Sequence, residues 1–146
     1  MIVKTILDGG DSNIHQDKTF SIIYKTLSSE GYTEGDISII FTGDESLRRL
    51  KKEFFKKDEF TDVIAFRLND YSEKKVEGEI YISLERAKEN AANFNEPVEK
   101  EICRLLIHGG LHLLNFDDKT EDERKIMREK ENYYLTQFGW KGIINE

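Results

Sequence analysis

Residues 102–118 read Ile-Cys-Arg-Leu-Leu-Ile-His-Gly-Gly-Leu-His-Leu-Leu-Asn-Phe-Asp-Asp, and two of the chain's three histidines, His108 and His112, fall inside this almost wholly apolar run. Four residues apart on a helix, two imidazoles share one face, about one turn apart and roughly 40° around the axis. Such a pair can grip one metal ion, whereas burying two unpaired polar rings among leucines would cost free energy for no return. Apolar residues surround the helix axis nearly all the way from Ile102 to Leu114, which marks this helix as central and buried. Gly109 and Gly110 thin it where something can approach closely. Asn115 tolerates left-handed backbone better than most residues, so the chain can turn back there and deliver a carboxylate. The expected metal ligands are His108, His112 and Asp118, with Asp117 competing for the third place.

Outward from this helix the chain alternates short strands and helices. Upstream, Asn95-Glu96-Pro97 opens the central helix, with proline in the first turn where its missing N–H does no harm. Leu84 to Phe94 reads as a short helix and Val76 to Ser83 as a strand, in which Gly78 marks a bulge or a close backbone approach. Asn69 to Lys75 is polar and turn-like, and Val63-Ile64-Ala65-Phe66 is a compact strand within Phe60 to Leu68. Before it, a helix capped by Asp44 places Leu47, Leu50 and Phe54 inward and Arg48, Arg49, Lys51, Lys52, Lys56 and Lys57 largely outward. Ile37 to Phe41 is a strand. In Ile14 to Leu27 the set Phe20, Ile23, Tyr24, Leu27 recurs at helical spacing, and Gly31 suits the stop. Ile2 to Leu7 is a first strand, ended at Asp8-Gly9-Gly10-Asp11. Downstream, Thr120 with Glu123 offers a capping box for a last helix running to about Phe138, before Gly139. There is no internal repeat, linker or low-complexity tract, so residues 1–146 are expected to form a single domain.

Composition narrows the function. At 146 residues, 38% apolar and 35% charged, with one proline, the chain is long enough to bury a core without staples. One cysteine cannot form an internal disulfide. The opening Met-Ile-Val-Lys-Thr-Ile-Leu-Asp lacks the basic flank and apolar run of a secretory signal, and no stretch approaches a membrane span. A soluble cytoplasmic protein is expected. The formal net charge of −7 argues against coating nucleic acid by bulk electrostatics but leaves room for a local basic groove.

Other chemistry-bearing residues have structural readings. Cys103 sits about 140° around the helix from His108, facing away from the ligands, and reads as core. Asp62 reads as a buried turn-capping aspartate more than as a carboxylate supporting the metal ligands. Trp140, Tyr133, Tyr134 and Phe138 read as packing for the last helix. His15 has no evident partner. From the residues alone, Arg48 to Lys57 is a solvated helix face.

Three motifs in order resemble the YbeY endoribonucleases. His-Gly-Gly-Leu-His-Leu-Leu-Asn-Phe-Asp-Asp at 108–118 is similar to that family's His-Gly-x-Leu-His-Leu-x-Gly-Tyr-Asp-His. Thr61-Asp62-Val63-Ile64-Ala65-Phe66 resembles its Thr-Asp-Val-Leu-Ser-Phe strand, and Gly78-Glu79-Ile80-Tyr81-Ile82-Ser83 its Gly-Asp-Ile-x-Ile-Ser strand. Met127 with its flanking glutamates fits the closing helix. The resemblance implies an α+β, zincin-like fold: a small mixed four-stranded sheet packed with about five helices around a central buried metal-binding helix. It implies a zinc-dependent, single-strand-specific endoribonuclease with one Zn2+, or another divalent metal, per chain. It implies action in ribosomal RNA processing (16S 3′-end maturation) and ribosome quality control, with ribosomal RNA and the small ribosomal subunit as partners.

Two departures stand out. The family's third histidine falls on Asp118 and its glycine on Asn115; alignment favours Asp118 over Asp117. A carboxylate oxygen is an acceptable zinc ligand, and its added negative charge should make the metal a weaker Lewis acid. The family arginine that precedes the Thr-Asp-Val strand falls, ungapped, on Phe55. Lys52 and Lys56 are the neighbouring cations expected to contact substrate, although lysine cannot reproduce a bidentate grip on phosphate.

The expected chemistry is metal-assisted hydrolysis of an RNA phosphodiester, with His108, His112 and Asp118 holding a metal-bound water that becomes a usable nucleophile near neutral pH. Two rivals differ in class. A zinc peptidase of metzincin spacing would need a glutamate directly after the first histidine as general base, where this chain has Gly109. A metal-stabilised ribosome-binding module with little catalysis would bind metal and RNA without cutting.

Overall fold

The computed structural model describes residues 1–9 and 13–144. The turn expected at Asp8 to Asp11 therefore lies partly outside the described residues. The order of elements is β1 (Ile2–Leu7), α1 (Gln16–Ser29), β2 (Gly35–Thr42), α2 (Asp44–Phe55), β3 (Val63–Arg67), β4 (Val76–Ser83), α3 (Leu84–Phe94), α4 (Val98–Leu113) and α5 (Glu121–Phe138). The four strands form one mixed sheet in the order β1-β2-β4-β3, with β1, β2 and β4 parallel and β3 antiparallel to β4. The architecture is α+β with five helices among the described residues, as expected. No helix among them is long and apolar enough to cross a membrane.

The sheet's period of two decides which face α4 covers. Ile37, Ile39 and Phe41 on β2 and Val76, Ile80 and Ile82 on β4 are fully buried. Between them, Ile40, Glu77, Glu79 and Tyr81 remain half-buried on the other face. Helix α4 lies on the first face: a Cβ at Gly109 would sit 2.6 Å from Ile80 Cγ2, and one at Gly78 would sit 2.7 Å from Leu113 Cδ2. The two glycines are therefore a knob-free seam between α4 and β4. What approaches Gly109 is a strand, not a ligand, and Gly78 marks close approach, not a bulge.

One core joins α1, the sheet, α4 and α5. On α1 the inward stripe is Thr19, Ile22, Ile23, Thr26 and Leu27. Phe20 and Tyr24, expected inward, instead stack on each other at the rim with ring centroids 5.6 Å apart. Threonine tolerates the inner stripe because its hydroxyl bonds back to the helix, Thr26 Oγ1 to the Ile22 carbonyl at 2.7 Å. His15, given no partner from sequence, is the N-cap of α1, its Nδ1 accepting from the Lys18 N–H. Cys103 is buried at the core, where burial pushes its thiol up to about 12.

Helix α2 departs from expectation in two ways. Gly43, not Asp44, is its N-cap. Asp44 instead accepts from Ser83 Oγ (2.6 Å) and Arg86 (3.1 Å), while Glu85 accepts the Asp44 N–H. Only Leu47 is buried; Phe54 stays 57% exposed because α2 lies over the β3 edge of the sheet, where no further layer covers it. Tyr133 is likewise exposed, so it does not pack the last helix; Tyr134 does, donating its hydroxyl to Glu30.

Candidate metal centre

Helix α4 ends as the sequence requires. Asn115 adopts φ 72°, its N–H donates to the His112 carbonyl (3.0 Å), and the Phe116 N–H donates to the Leu111 carbonyl (3.1 Å). This is the Schellman pattern of helix termination, with asparagine filling the left-handed position. Arg67 at the end of β3 satisfies a further carbonyl, that of Leu113, at 2.8 Å. The reversed chain then brings residues 117–119 back across the last turn of α4, and Arg124 holds this loop through the carbonyls of Asp118 (3.3 Å) and Lys119 (3.0 Å). Thr120 and Glu123 close a reciprocal capping box that fixes the start of α5 beside it.

The outcome is a three-atom cluster. His108 Nε2 and His112 Nε2 are 2.9 Å apart, and Asp118 Oδ2 lies 3.4 Å from the first and 3.5 Å from the second. Ligand atoms around a tetrahedral zinc with bonds of about 2.0–2.2 Å stand roughly 3.3–3.6 Å apart. The cluster already has nearly that spacing, so the donor set and its separations fit one divalent cation. Asp117 is differently engaged: its Oδ1 accepts the Asp118 N–H at 2.9 Å and its Oδ2 lies 3.7 Å from Lys119 Nζ.

Behind the cluster is a residue that sequence reasoning passed over. Glu131 on α5 accepts from His108 Nδ1 at 2.6 Å and is almost wholly buried. By accepting the Nδ1–H hydrogen bond it favours the tautomer whose Nε2 lone pair faces Asp118 and His112, the arrangement a metal-binding imidazole needs. Arg104 in turn braces Glu131 (3.4 Å) and lies near Glu101 (3.6 Å), and Asn90 ties Glu101 to Asp62. Asp62 is thus neither a turn cap nor in contact with a ligand; it ends a polar string that runs back to His108. Among the groups of this string, Glu101 has its carboxyl pushed up, chiefly by burial.

Burial and the neighbouring carboxylates set the proton affinities of the cluster in opposite directions. Burial alone would lower the His108 pKa, but hydrogen bonds to Asp118 and Glu131 outweigh it and raise the imidazole to about 9. Burial and the neighbouring charge on His108 push His112 down. The hydrogen bond from His108 draws Asp118 down to about 2 against its own burial. A cation at the three-atom cluster would compete with protons for these donor atoms.

The cluster opens into a cleft of about 490 Å³ lined, beyond the ligands, by Lys51, Phe55, Lys57, Tyr71, Phe116 and Lys119. Lys52 and Lys56 are on the same helix and its cap, but neither lines this cleft; the Lys56 ammonium donates to the Glu53 carbonyl. The cations that line this cleft are Lys51, which also pairs with Glu59 at 2.8 Å, together with Lys57 and Lys119.

Comparison with known proteins agrees with this geometry. A family model described as Endoribonuclease YbeY matches residues 10–139. A protein of Christiangramia forsetii named Endoribonuclease YbeY is 43% identical over 116 residues, 80% of each chain. One of the same name from Chlorobium limicola is 35% identical over 125 residues, 86% of this chain and 85% of its own. Among solved structures, the solution structure of TM1509 from Thermotoga maritima superposes with a TM-score of 0.66 at 26% identity, covering 94% of this chain and 89% of that one.

Proposed function

The chain belongs to the YbeY endoribonuclease family, and from that premise we propose that it is a cytoplasmic, zinc-dependent endoribonuclease. Its substrate is single-stranded ribosomal RNA, and it acts on the small ribosomal subunit in 16S 3′-end maturation and ribosome quality control. The observation that carries this reading is the His108–His112–Asp118 cluster at metal-ligand spacing, opening into a cleft with a lysine-bearing wall.

A bound zinc ion supplies Lewis acidity toward water and toward a phosphoryl oxygen. The rest falls to the chain's own residues. His108, His112 and Asp118 would hold the ion, and the cleft beside them would receive the substrate. Glu131 fixes the tautomer and the plane of His108, so that this ligand is oriented before metal arrives. Lys51, Lys57 and Lys119 offset phosphate charge in a chain whose net charge is −7. A peptidase reading gains nothing here: Gly109 leaves no room for a glutamate, because even a Cβ meets Ile80.

The test uses purified protein of known metal content, incubated with single-stranded and with duplex ribosomal RNA. Cleavage of the single strand alone, lost on metal removal and in His108→Ala, is the expected result. Cleavage that survives both changes would place the reaction elsewhere. Stoichiometric metal with no cleavage would leave a binding module.

A further inference from the structure

We propose that Phe55 and Tyr71 form a base-stacking platform in the cleft, and that this platform is what selects unpaired nucleotides over duplex. The proposal rests on the endoribonuclease reading and names how that site recognises its substrate. Both rings line the cleft that the metal ligands open into. Each has a group packed against it and is about half exposed. Phe55 stacks on Phe66 with ring centroids 5.9 Å apart and planes 19° from parallel, yet remains 49% exposed. Tyr71 carries the Arg67 guanidinium 5.3 Å from its ring centroid and remains 47% exposed.

The supports are themselves anchored. Phe66 meets Tyr81 edge-on at 5.9 Å and Phe54 edge-on at 5.3 Å. Arg67 is held by Asn69 and by carbonyls of Leu113, Asp70, Glu73 and Lys75. The chain thus maintains two half-bare aromatic rings on braced backing beside a metal centre, with Lys51, Lys57 and Lys119 lining the same cleft. Phe54 and Phe55 both rest on Phe66 and are 57% and 49% exposed, and an exposed aromatic patch rimmed by charges marks a binding surface. The occupant that fits flat π-faces flanked by cations is a nucleobase on a phosphate backbone: stacking on aromatic rings is the main grip on single-stranded RNA. Bases in a duplex are already stacked on their neighbours and cannot enter, which yields strand selectivity without any base-edge contact.

The test is a split between KM and kcat on metal-loaded protein, using a short labelled single-stranded RNA and a series of the same RNA made abasic at one position at a time. Phe55→Ala and Phe55→Leu are expected to raise KM about ten-fold on intact RNA, with metal content and kcat unchanged. Phe55→Trp and Tyr71→Phe should keep or improve the wild-type KM. On RNA abasic at the stacking position, the wild type should fall to the level of Phe55→Ala, and the variant should lose nothing more. A wild-type KM in Phe55→Leu, or an equal loss on intact RNA and on every abasic RNA, would overturn the platform. So would an unchanged KM in both Phe55→Ala and Tyr71→Ala, which would leave the rings to a protein partner. Should metal-loaded wild type cut no RNA at all, the endoribonuclease reading itself fails, a result distinct from any of these.

Discussion

The two walls of the cleft are built to opposite standards. On the α4 side a chain of polar groups backs the metal ligands: Glu131 holds His108, Arg104 braces Glu131, and Arg124 pins the loop that delivers Asp118. On the opposite side, Phe55 and Tyr71 are about half bare, and Lys51 and Lys57 line the cleft beside them. Rigid, satisfied surroundings suit a constellation that must place three donor atoms to within a fraction of an ångström. A half-exposed wall suits a flexible polymer that binds through stacking and charge. The contrast predicts that changes on the first wall alter metal content and hence cleavage of every RNA alike, whereas changes on the second alter substrate affinity at full metal occupancy.

The largest effect tests the first half of that contrast. His108→Ala removes one donor and leaves the buried Glu131 carboxylate without its imidazole. Metal content measured by elemental analysis should fall to background, and cleavage with it, while circular dichroism retains the helical signal because α4 keeps its buried leucines. Next comes Glu131→Gln, which keeps the hydrogen bond but removes the charge that raises the basicity of His108. Its metal affinity, measured by competition with a chelating dye, should drop about 10–100-fold, with KM for RNA unchanged at saturating metal. An unchanged affinity would show that Glu131 serves packing alone and would blur the distinction between the walls.

Gly109→Ala separates fold from function on the same wall. The added methyl would meet Ile80 Cγ2 at 2.6 Å, a side chain locked between α4 and the sheet. Overpacking of this kind costs about 1–3 kcal/mol, and chemical denaturation should read it as a lower midpoint with unchanged slope. Metal content of the folded fraction should hold, since the two imidazoles project away from the seam.

How much of this was legible in the sequence follows from range. The α4 helix, its Schellman end at Asn115 and the capping box of Thr120 and Glu123 are set by neighbours within a few residues, and the sequence reading places them correctly. Glu131 lies 23 positions from His108, and only the fold pairs them. A local signal did exist: Glu131 shares a helical stripe with the buried Met127, Tyr134 and Leu135, and a charge on an inward stripe needs a partner. The reading of Phe54 as core failed for the opposite reason. Helical periodicity reports that a face is apolar, not whether a layer exists to cover it, and α2 sits at the sheet's edge. Lys52 and Lys56 were singled out by nearness in sequence to Phe55, whereas helical geometry turns Lys51 and the chain reversal at Lys56 (φ 59°) turns Lys57 toward the cleft.

That last difference supplies the smallest prediction and the finest test of the second wall. If the lysines act as phosphate contacts, each one lost should reduce the slope of log affinity against log salt by about 0.7 for a single strand. Lys51 shares its ammonium with Glu59 at 2.8 Å, so part of its charge is already spent, and Lys57→Ala should change the slope more than Lys51→Ala. Lys52→Ala, outside the cleft lining, should leave both the slope and the affinity close to wild type. Fluorescence anisotropy of a labelled single-stranded RNA across about 50–200 mM salt resolves the three cases. Equal slopes for Lys52→Ala and Lys57→Ala would mean that the whole face of α2 acts as a diffuse cationic surface, and that the cleft's boundary does not define where RNA runs.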